Sequence, residues 1–228
     1  MIEDGIILID KPENMTSFGV VARVRRMLSS YFERKMKVGH TGTLDPFASG
    51  LMIIVVGKEC KNAQTYTKLD KTYEADIILG QTSSTGDPEG EIIHTSNDIP
   101  DKQMINDALQ RFLGNIQQIP PVYSAIKVGG ERAYKLARKG KIVDMPAREV
   151  KISSIELIEY TYPHLKIRTR VSSGTYIRTL AEDIGKALGV GAYCKKLRRT
   201  SIDTWSIEEA ETLDAWLNEN NMSNKHQG

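Results

Sequence analysis

Apolar residues along the chain fall into runs whose spacing predicts both strands and helices. Residues 5–10 (GIILID) read as a first strand. The turn at 11–17 supplies a helix N-cap at Thr16 or Ser17. Beyond it Val20, Val24, Met27 and Leu28 recur at helical spacing, with Arg23 and Arg26 off that face. Residues 51–57 (LMIIVVG) are continuously apolar; β-branched residues and bounding glycines favour a buried strand, although so short a run also suits a buried helix. Residues 71–79 (KTYEADIIL) read as a strand, the polar stretch 80–90 as a turn, and 91–94 as the returning partner. Residues 101–113 form an amphipathic helix with Ile105, Ala108, Leu109 and Phe112 on one side and Gly114 as C-cap. Residues 149–160 and 164–172 read as two more strands. The second alternates Leu165, Ile167, Thr169 and Val171 against Lys166, Arg168 and Arg170, which predicts one buried and one basic face. Residues 173–179 open a helix that turns Leu180, Ile184, Ala187 and Leu188 inward. Residues 212–218 make a last short helix around Leu213, Trp216 and Leu217, and 221–228 read as disordered.

Composition narrows the class. A chain of 228 residues with 40% hydrophobic content builds one large domain or a domain with a small appendage. The net charge of +2 is uninformative, but its distribution is not. Arg23, Arg25, Arg26, Arg34, Lys35 and Lys37 crowd one segment, Arg132, Lys135, Arg138, Lys139 and Lys141 a second, and Lys195, Lys196, Arg198 and Arg199 a third. Glu208, Glu209, Glu211, Asp214 and Glu219 offset them near the end. Such clusters suit a polyanion-binding face, or equally an ordinary solvated surface. Cys60 and Cys194 lack metal-binding spacing and read as reduced, cytoplasmic thiols. The histidines are scattered, so no metal site is expected. There is neither a signal peptide pattern nor an apolar stretch of membrane-spanning length. No Walker loop and no GxGxxG after a strand is present, so no nucleotide cofactor is expected.

The stretch carrying the sharpest chemical signal is 38–50 (VGHTGTLDPFASG), a glycine- and hydroxyl-rich loop with one carboxylate, running straight into the apolar 51–57. Pro46 restricts Asp45 to extended or turn geometry, and a buried strand fixes the end of the loop. By itself Asp45 suits either a tight turn bonded to nearby amides or a positioned catalytic group. The string Gly-His-Thr-Gly-Thr-Leu-Asp-Pro-Phe-Ala-Ser-Gly closely resembles the catalytic motif of the TruB family of tRNA pseudouridine-55 synthases. Residues 174–178 (GTYIR) and 196–200 (KLRRT) match two further family blocks, in order, so the resemblance runs from about residue 5 to 205. Asn14 stands where the family has a glycine, Ser84 where an aspartate is common, and Asp203 and Trp205 where a glycine and a phenylalanine are common. Asn tolerates positive φ, so the turn at Asn14 is expected to survive, and the last two changes read as structural.

The resemblance implies an α+β pseudouridine-synthase fold: a large, mixed, mostly antiparallel sheet in two halves around a central catalytic cleft. It implies a catalytic domain over 1–210, a short helix and tail over 211–228 with no room for the RNA-binding C-terminal domain many relatives carry, and an RNA-gripping insertion at about 117–148. The implied reaction is isomerisation of the T-loop uridine at tRNA position 55, by a cytoplasmic, monomeric enzyme with no cofactor and no metal. Asp45 would be the nucleophile, attacking C1′ or opening a glycal route, and Arg178 would pair with it and keep it ionised. Tyr73 would stack on the base and assist proton removal at C5; Tyr176 and Leu197 would line the pocket. His40 would fill the space left by the flipped uridine, and Lys11 would either bond the loop or reach phosphate. Two other readings stay open: an RNA-binding or RNA-folding module without catalysis, and a related synthase acting on another RNA. Replacing Lys135 and Arg138 together is expected to raise KM for tRNA with kcat less affected, as steady-state kinetics would read; a fall in kcat alone overturns the phosphate-gripping role.

Overall fold

A computed structural model describes residues 1–122, 127–128, 130–133, 136 and 145–224. Lys135, Arg138, Lys139 and Lys141, and with them much of the expected RNA-gripping insertion, lie outside the described residues. The fold is mixed α+β, and the chain divides into two units, 1–73 with 198–228, and 74–197.

In the first unit, β1 (Gly5–Lys11) runs antiparallel to β3 (Ser49–Val56), Ile7 opposite Ile54 and Lys11 opposite Gly50. Residues 50–56 of β3 are all buried, which is why its sequence is continuously apolar instead of alternating. Leu51, Ile53 and Val55 pack with Ile202, Tyr66 and Trp205. Trp205 meets Tyr66 edge-on at 5.7 Å, and Asp203 has φ of 52°, so both family departures occupy structural positions. Helix α1 (Ser17–Tyr31) is capped by Thr16, whose Oγ1 accepts from the Gly19 amide at 3.0 Å, and it buries Val20, Val21, Val24 and Leu28. Asn14 has φ of 60°, as the turn requires. The stretch before the apolar run is not all loop: β2 (Val38–His40) pairs with β3, His40 opposite Ile54. Helix α2 (Ala63–Thr67) follows β3 after a 3-10 segment.

In the second unit, β4 (Lys71–Leu79) continues from the first and alternates buried with half-buried residues up to its wholly buried end. The strand that returns at 92–94 does not pair with it. β5 (Gln81–Ser83) and β6 (Ile92–His94) form their own two-stranded sheet, because Gly80, at φ of 78°, breaks the strand. Helix α3 (Lys102–Gln110) is shorter than the pattern predicts: Asp101 caps it through the Met104 amide at 2.8 Å and Arg111 ends it. Gly114 starts β7 (Gly114–Gln118) rather than capping the helix. The short β8 (Lys127–Val128) and β9 (Glu131–Arg132) pair with each other. β10 (Arg148–Thr161) and β11 (His164–Val171) form a long antiparallel pair, and β7 adds to β10. The outer face of β11 is less basic than its sequence suggests, since Arg168 and Lys166 both reach Glu74, at 2.8 and 3.5 Å. Helix α4 (Ile177–Ala187) buries Leu180, Ala181, Ile184 and Gly185; Ala187, expected inside, is exposed, and Leu188 follows it into the core.

β12 (Ala192–Ile202) leads from the second unit back to the first, where β13 (Trp205–Ser206), β14 (Glu211–Thr212) and α5 (Leu213–Asn224) complete the chain. The ten-stranded sheet has the order β14-β1-β3-β12-β4-β11-β10-β7, with β13 on β12 and β2 on β3. Within it β1–β14 and β3–β12 are parallel, whereas β1–β3, β2–β3, β7–β10, β10–β11 and β12–β13 are antiparallel. The last helix extends through Asn224, past the point where disorder was expected. Replacing Asn14 tests the turn: Asn14→Gly leaves the urea midpoint close to wild type, whereas Asn14→Val costs about 1–2 kcal/mol, since a β-branched residue resists positive φ.

Candidate active-site loop and its partners

The loop between β2 and β3 is held at nearly every turn by buried side chains. At its start, Arg199, 1% exposed, donates from Nη2 to the Gly42 carbonyl at 3.1 Å. From Nε it donates to the Leu51 carbonyl at 2.7 Å, so one guanidinium ties both ends of the loop together. In the middle, Ser17 Oγ accepts from the Leu44 amide at 2.8 Å and donates to the Leu44 carbonyl at 2.9 Å. After Asp45, the Pro46 carbonyl accepts from Lys11 Nζ at 3.3 Å, and the Ala48 amide closes a turn on the Asp45 carbonyl at 3.1 Å. Asp45 itself is half-buried.

Lys11 is fully buried, and its ammonium also donates to the carbonyls of Pro12 at 2.8 Å and Met15 at 2.6 Å. Three carbonyls thus surround this ammonium, one of them, that of Pro46, in the loop. Burial pushes its pKa down to about 8, against the attraction of the Asp45 carboxylate, which lies close enough to favour the charged form. Lys71, also buried, is lowered to about 8 first by burial and then by repulsion from Arg199. Lys71 donates to the Thr67 carbonyl at 2.7 Å, whereas Lys11 and Arg199 bond the carboxylate-bearing loop directly. Gly50 permits this closeness. Its φ is 112°, and a Cβ there would lie 2.3 Å from the Arg199 carbonyl oxygen. His40, at the end of β2, has its pKa lowered by burial and by Arg199, so its imidazole is neutral at neutral pH. Its Nδ1 is buried with no hydrogen-bond partner among the described residues. Tyr73, 8% exposed, lies on the buried face of β4 with Lys71.

Arg178, Tyr176 and Leu197 belong to the second unit. Arg178 sits in the first turn of α4, 4% exposed, and donates from Nη1 to Asp87 Oδ2 at 3.0 Å and to the Thr85 carbonyl at 2.9 Å. Asp87 is 5% exposed, and its Oδ1 accepts from Thr85 Oγ1 at 2.6 Å and the Glu89 amide at 3.0 Å. Gly86, between them, has φ of 73° and no room for a Cβ beside Glu182. The backbone of half-buried Tyr176 is gripped by Gln118, which accepts from the Tyr176 amide at 2.8 Å and donates to its carbonyl at 3.0 Å. Leu197 is 7% exposed in β12.

Sequence reasoning found the loop and the ends of these elements but missed the residues that hold them. The sequence offers Ser17 only as a cap and Arg199 only as one cation of a basic cluster and a member of the 196–200 block, and Gln118 carries no signal. Arg198, in the same cluster, pairs with Asp10 at 2.7 Å, which leaves Lys195 and Lys196 as its exposed cations. Among the described residues no group of histidine, cysteine and carboxylate side chains suits a metal ion. No described helix is long and apolar enough to cross a membrane.

Residues 25–177 match the model of the TruB family pseudouridylate synthase N-terminal domain, and 178–226 that of the tRNA pseudouridylate synthase B C-terminal domain. The chain is 45% identical over 214 residues to tRNA pseudouridine synthase B of Azoarcus sp. (strain BH72), covering 94% of this chain and 70% of that one. It is also 45% identical to the protein of the same name from Opitutus terrae, covering 93% and 86%. Among solved structures it is similar to a chain of a Cbf5-Nop10-Gar1 complex (TM-score 0.74, 31% identity, 95% of this chain and 54% of that one). It is likewise similar to one of an H/ACA RNP bound to a substrate RNA containing 2′-deoxyuridine (TM-score 0.73, 28% identity, 100% and 56%). The chain thus spans little more than half the length of those two solved chains.

The buried lysines give a pH dependence of stability. Lys11 and Lys71 release their protons near pH 8 when folded and near 10.5 when unfolded, so the folded protein binds fewer protons between those values. Their burial cost is fully present below pH 8, and stability contributed by these groups rises from about pH 8 toward 10.5. Urea unfolding of Lys71→Met shows a flatter rise over that window than wild type; parallel slopes overturn the assignment.

Proposed function

The chain belongs to the TruB family of pseudouridylate synthases, and we propose that it isomerises a uridine of tRNA, the T-loop uridine at position 55, to pseudouridine. The observation that carries this reading is the loop bearing Asp45, which matches the family motif and is pinned on both sides of the carboxylate by Ser17, Lys11 and Arg199. A positioned carboxylate is what this chemistry asks for. The bond from ribose C1′ to uracil N1 breaks, the freed base turns, a bond forms from C1′ to C5, and the proton at C5 leaves as N1 gains one. No electron is transferred and no group enters or departs.

Asp45 acts as the nucleophile, attacking C1′ or withdrawing a ribose proton. Arg178, whose guanidinium is held by Asp87 and the Thr85 carbonyl, has in this reading the role the family motif assigns it, keeping that carboxylate charged. Tyr73 stacks on the flipped base and assists at C5. Tyr176, with its backbone held by Gln118, and Leu197 supply the remaining walls and exclude water, which would otherwise capture the ribosyl intermediate. His40, neutral and without a hydrogen bond at Nδ1, stacks where the uridine leaves the RNA loop. The enzyme works as a cytoplasmic monomer on the free T stem-loop. Higher identity to the bacterial tRNA enzymes than to the RNP proteins favours tRNA over a guided substrate.

Tritium release from tRNA labelled at uridine C5 tests the reading. Wild type releases the label and Asp45→Asn does not. Equal release by both discards Asp45 as nucleophile. No release by wild type on free tRNA transcript, with RNA bound, discards the tRNA isomerase in favour of a binding module or a guided synthase.

A further inference from the structure

Helix α1 presents to solvent a face that neither its packing nor the active-site loop uses. Phe18, in its first turn, is 64% exposed. The guanidinium of Arg25, two turns on, lies over the ring with its Cζ 5.8 Å from the centroid, so one side of the aromatic is backed by a cation while much of the ring stays open. Arg26 is exposed beside it on the helix. Neither Arg25 nor Arg26 makes a hydrogen bond or ion pair with a described residue. The helix has no acidic residue among its 15, against three arginines. Arg23 differs: it donates to the Gly19 carbonyl and leans on Met15, so it braces the first turn.

An aromatic with one open face, a guanidinium behind it and a second cation beside it matches how proteins hold single-stranded nucleic acid: the base stacks and the flanking phosphates meet arginine. A protein partner would be expected to meet a broader apolar surface, and here the apolar contribution is a single ring. Placement supports the choice as well. Phe18 directly follows Ser17, whose hydroxyl exchanges two hydrogen bonds with Leu44, the neighbour of Asp45. The exposed ring thus directly follows in sequence the residue that holds the Asp45 loop.

We propose that Phe18, Arg25 and Arg26 form an accessory RNA-binding site that stacks an unpaired nucleotide of the bound tRNA outside the reacting uridine. The inference rests on the reading of this chain as an RNA enzyme. The site contributes affinity and not chemistry, since none of its groups reaches the reacting atoms.

The test is equilibrium binding of tRNA transcript to the full chain, together with single-turnover tritium release at saturating enzyme, for wild type, Phe18→Ser, Phe18→Tyr and Arg25→Gln with Arg26→Gln. Phe18→Ser raises Kd about tenfold, in the range of one lost base–aromatic stack, and Phe18→Tyr restores it. The double arginine variant weakens binding and lowers the slope of log Kd on log salt by about one to two. Single-turnover rates at saturation stay at wild type, and circular dichroism confirms that each variant is folded. A Kd for Phe18→Ser within twofold of wild type overturns the proposal, and a protein-docking role for the face becomes the better reading. A wild-type chain that binds tRNA without releasing tritium sinks the isomerase reading alone, because the Kd comparison still decides this one. A wild-type chain that binds no tRNA overturns the accessory site too.

Discussion

One buried guanidinium organises the first unit. Arg199 sits in β12 with almost no exposure and spends its donors on the carbonyls of Gly42 and Leu51, the two ends of the loop that carries Asp45. A buried cation is costly unless its hydrogen bonds are made, so the loop conformation and the burial of Arg199 require each other. Gly50 is part of the same constraint, because any side chain there would collide with the Arg199 backbone. Lys11, the last residue of β1, and Ser17, the first of α1, then hold the middle of the loop. A strand, a helix start and a distant strand meet on one carboxylate-bearing turn.

This arrangement explains the electrostatics around the loop. Burying Lys11 and Lys71 disfavours their charged forms, and both lose protons more readily. The Asp45 carboxylate offsets part of that cost for Lys11. Stability is thereby given up to fix the turn that carries the Asp45 carboxylate. The second unit repeats the logic with a pair instead of a cluster. Arg178 is fixed by Asp87 and by the Thr85 carbonyl, and Asp87 is in turn held by Thr85 and the Glu89 amide.

Strand and helix identities were mostly legible in the chain, and the places where they were not share one cause. β4, β10, β11 and α1 carry their own periodicity and caps. β6 was assigned to the wrong partner because three residues contain no pairing information, and Gly80 redirected them to β5. Gly114 looked like a helix cap because glycine serves turns and strand starts equally well. The third basic cluster read as a surface, yet it splits into two exposed lysines, one partner of Asp10 and one buried loop clamp. A linear count of charge does not distinguish these fates, since which side chain turns inward depends on the neighbouring strand.

The sequence by itself determined the family, the loop with its carboxylate, and most of the elements, because these reside in contiguous residue patterns that local sterics and solvation read directly. Tertiary structure decided which residues serve that loop. Ser17, Lys11, Arg199 and Gly50 converge from separate strands and helix ends, and Gln118 meets Tyr176 across 58 residues of chain. The physical reason is that a buried hydrogen bond is selected by distance and desolvation, both of which exist only once the strands have paired.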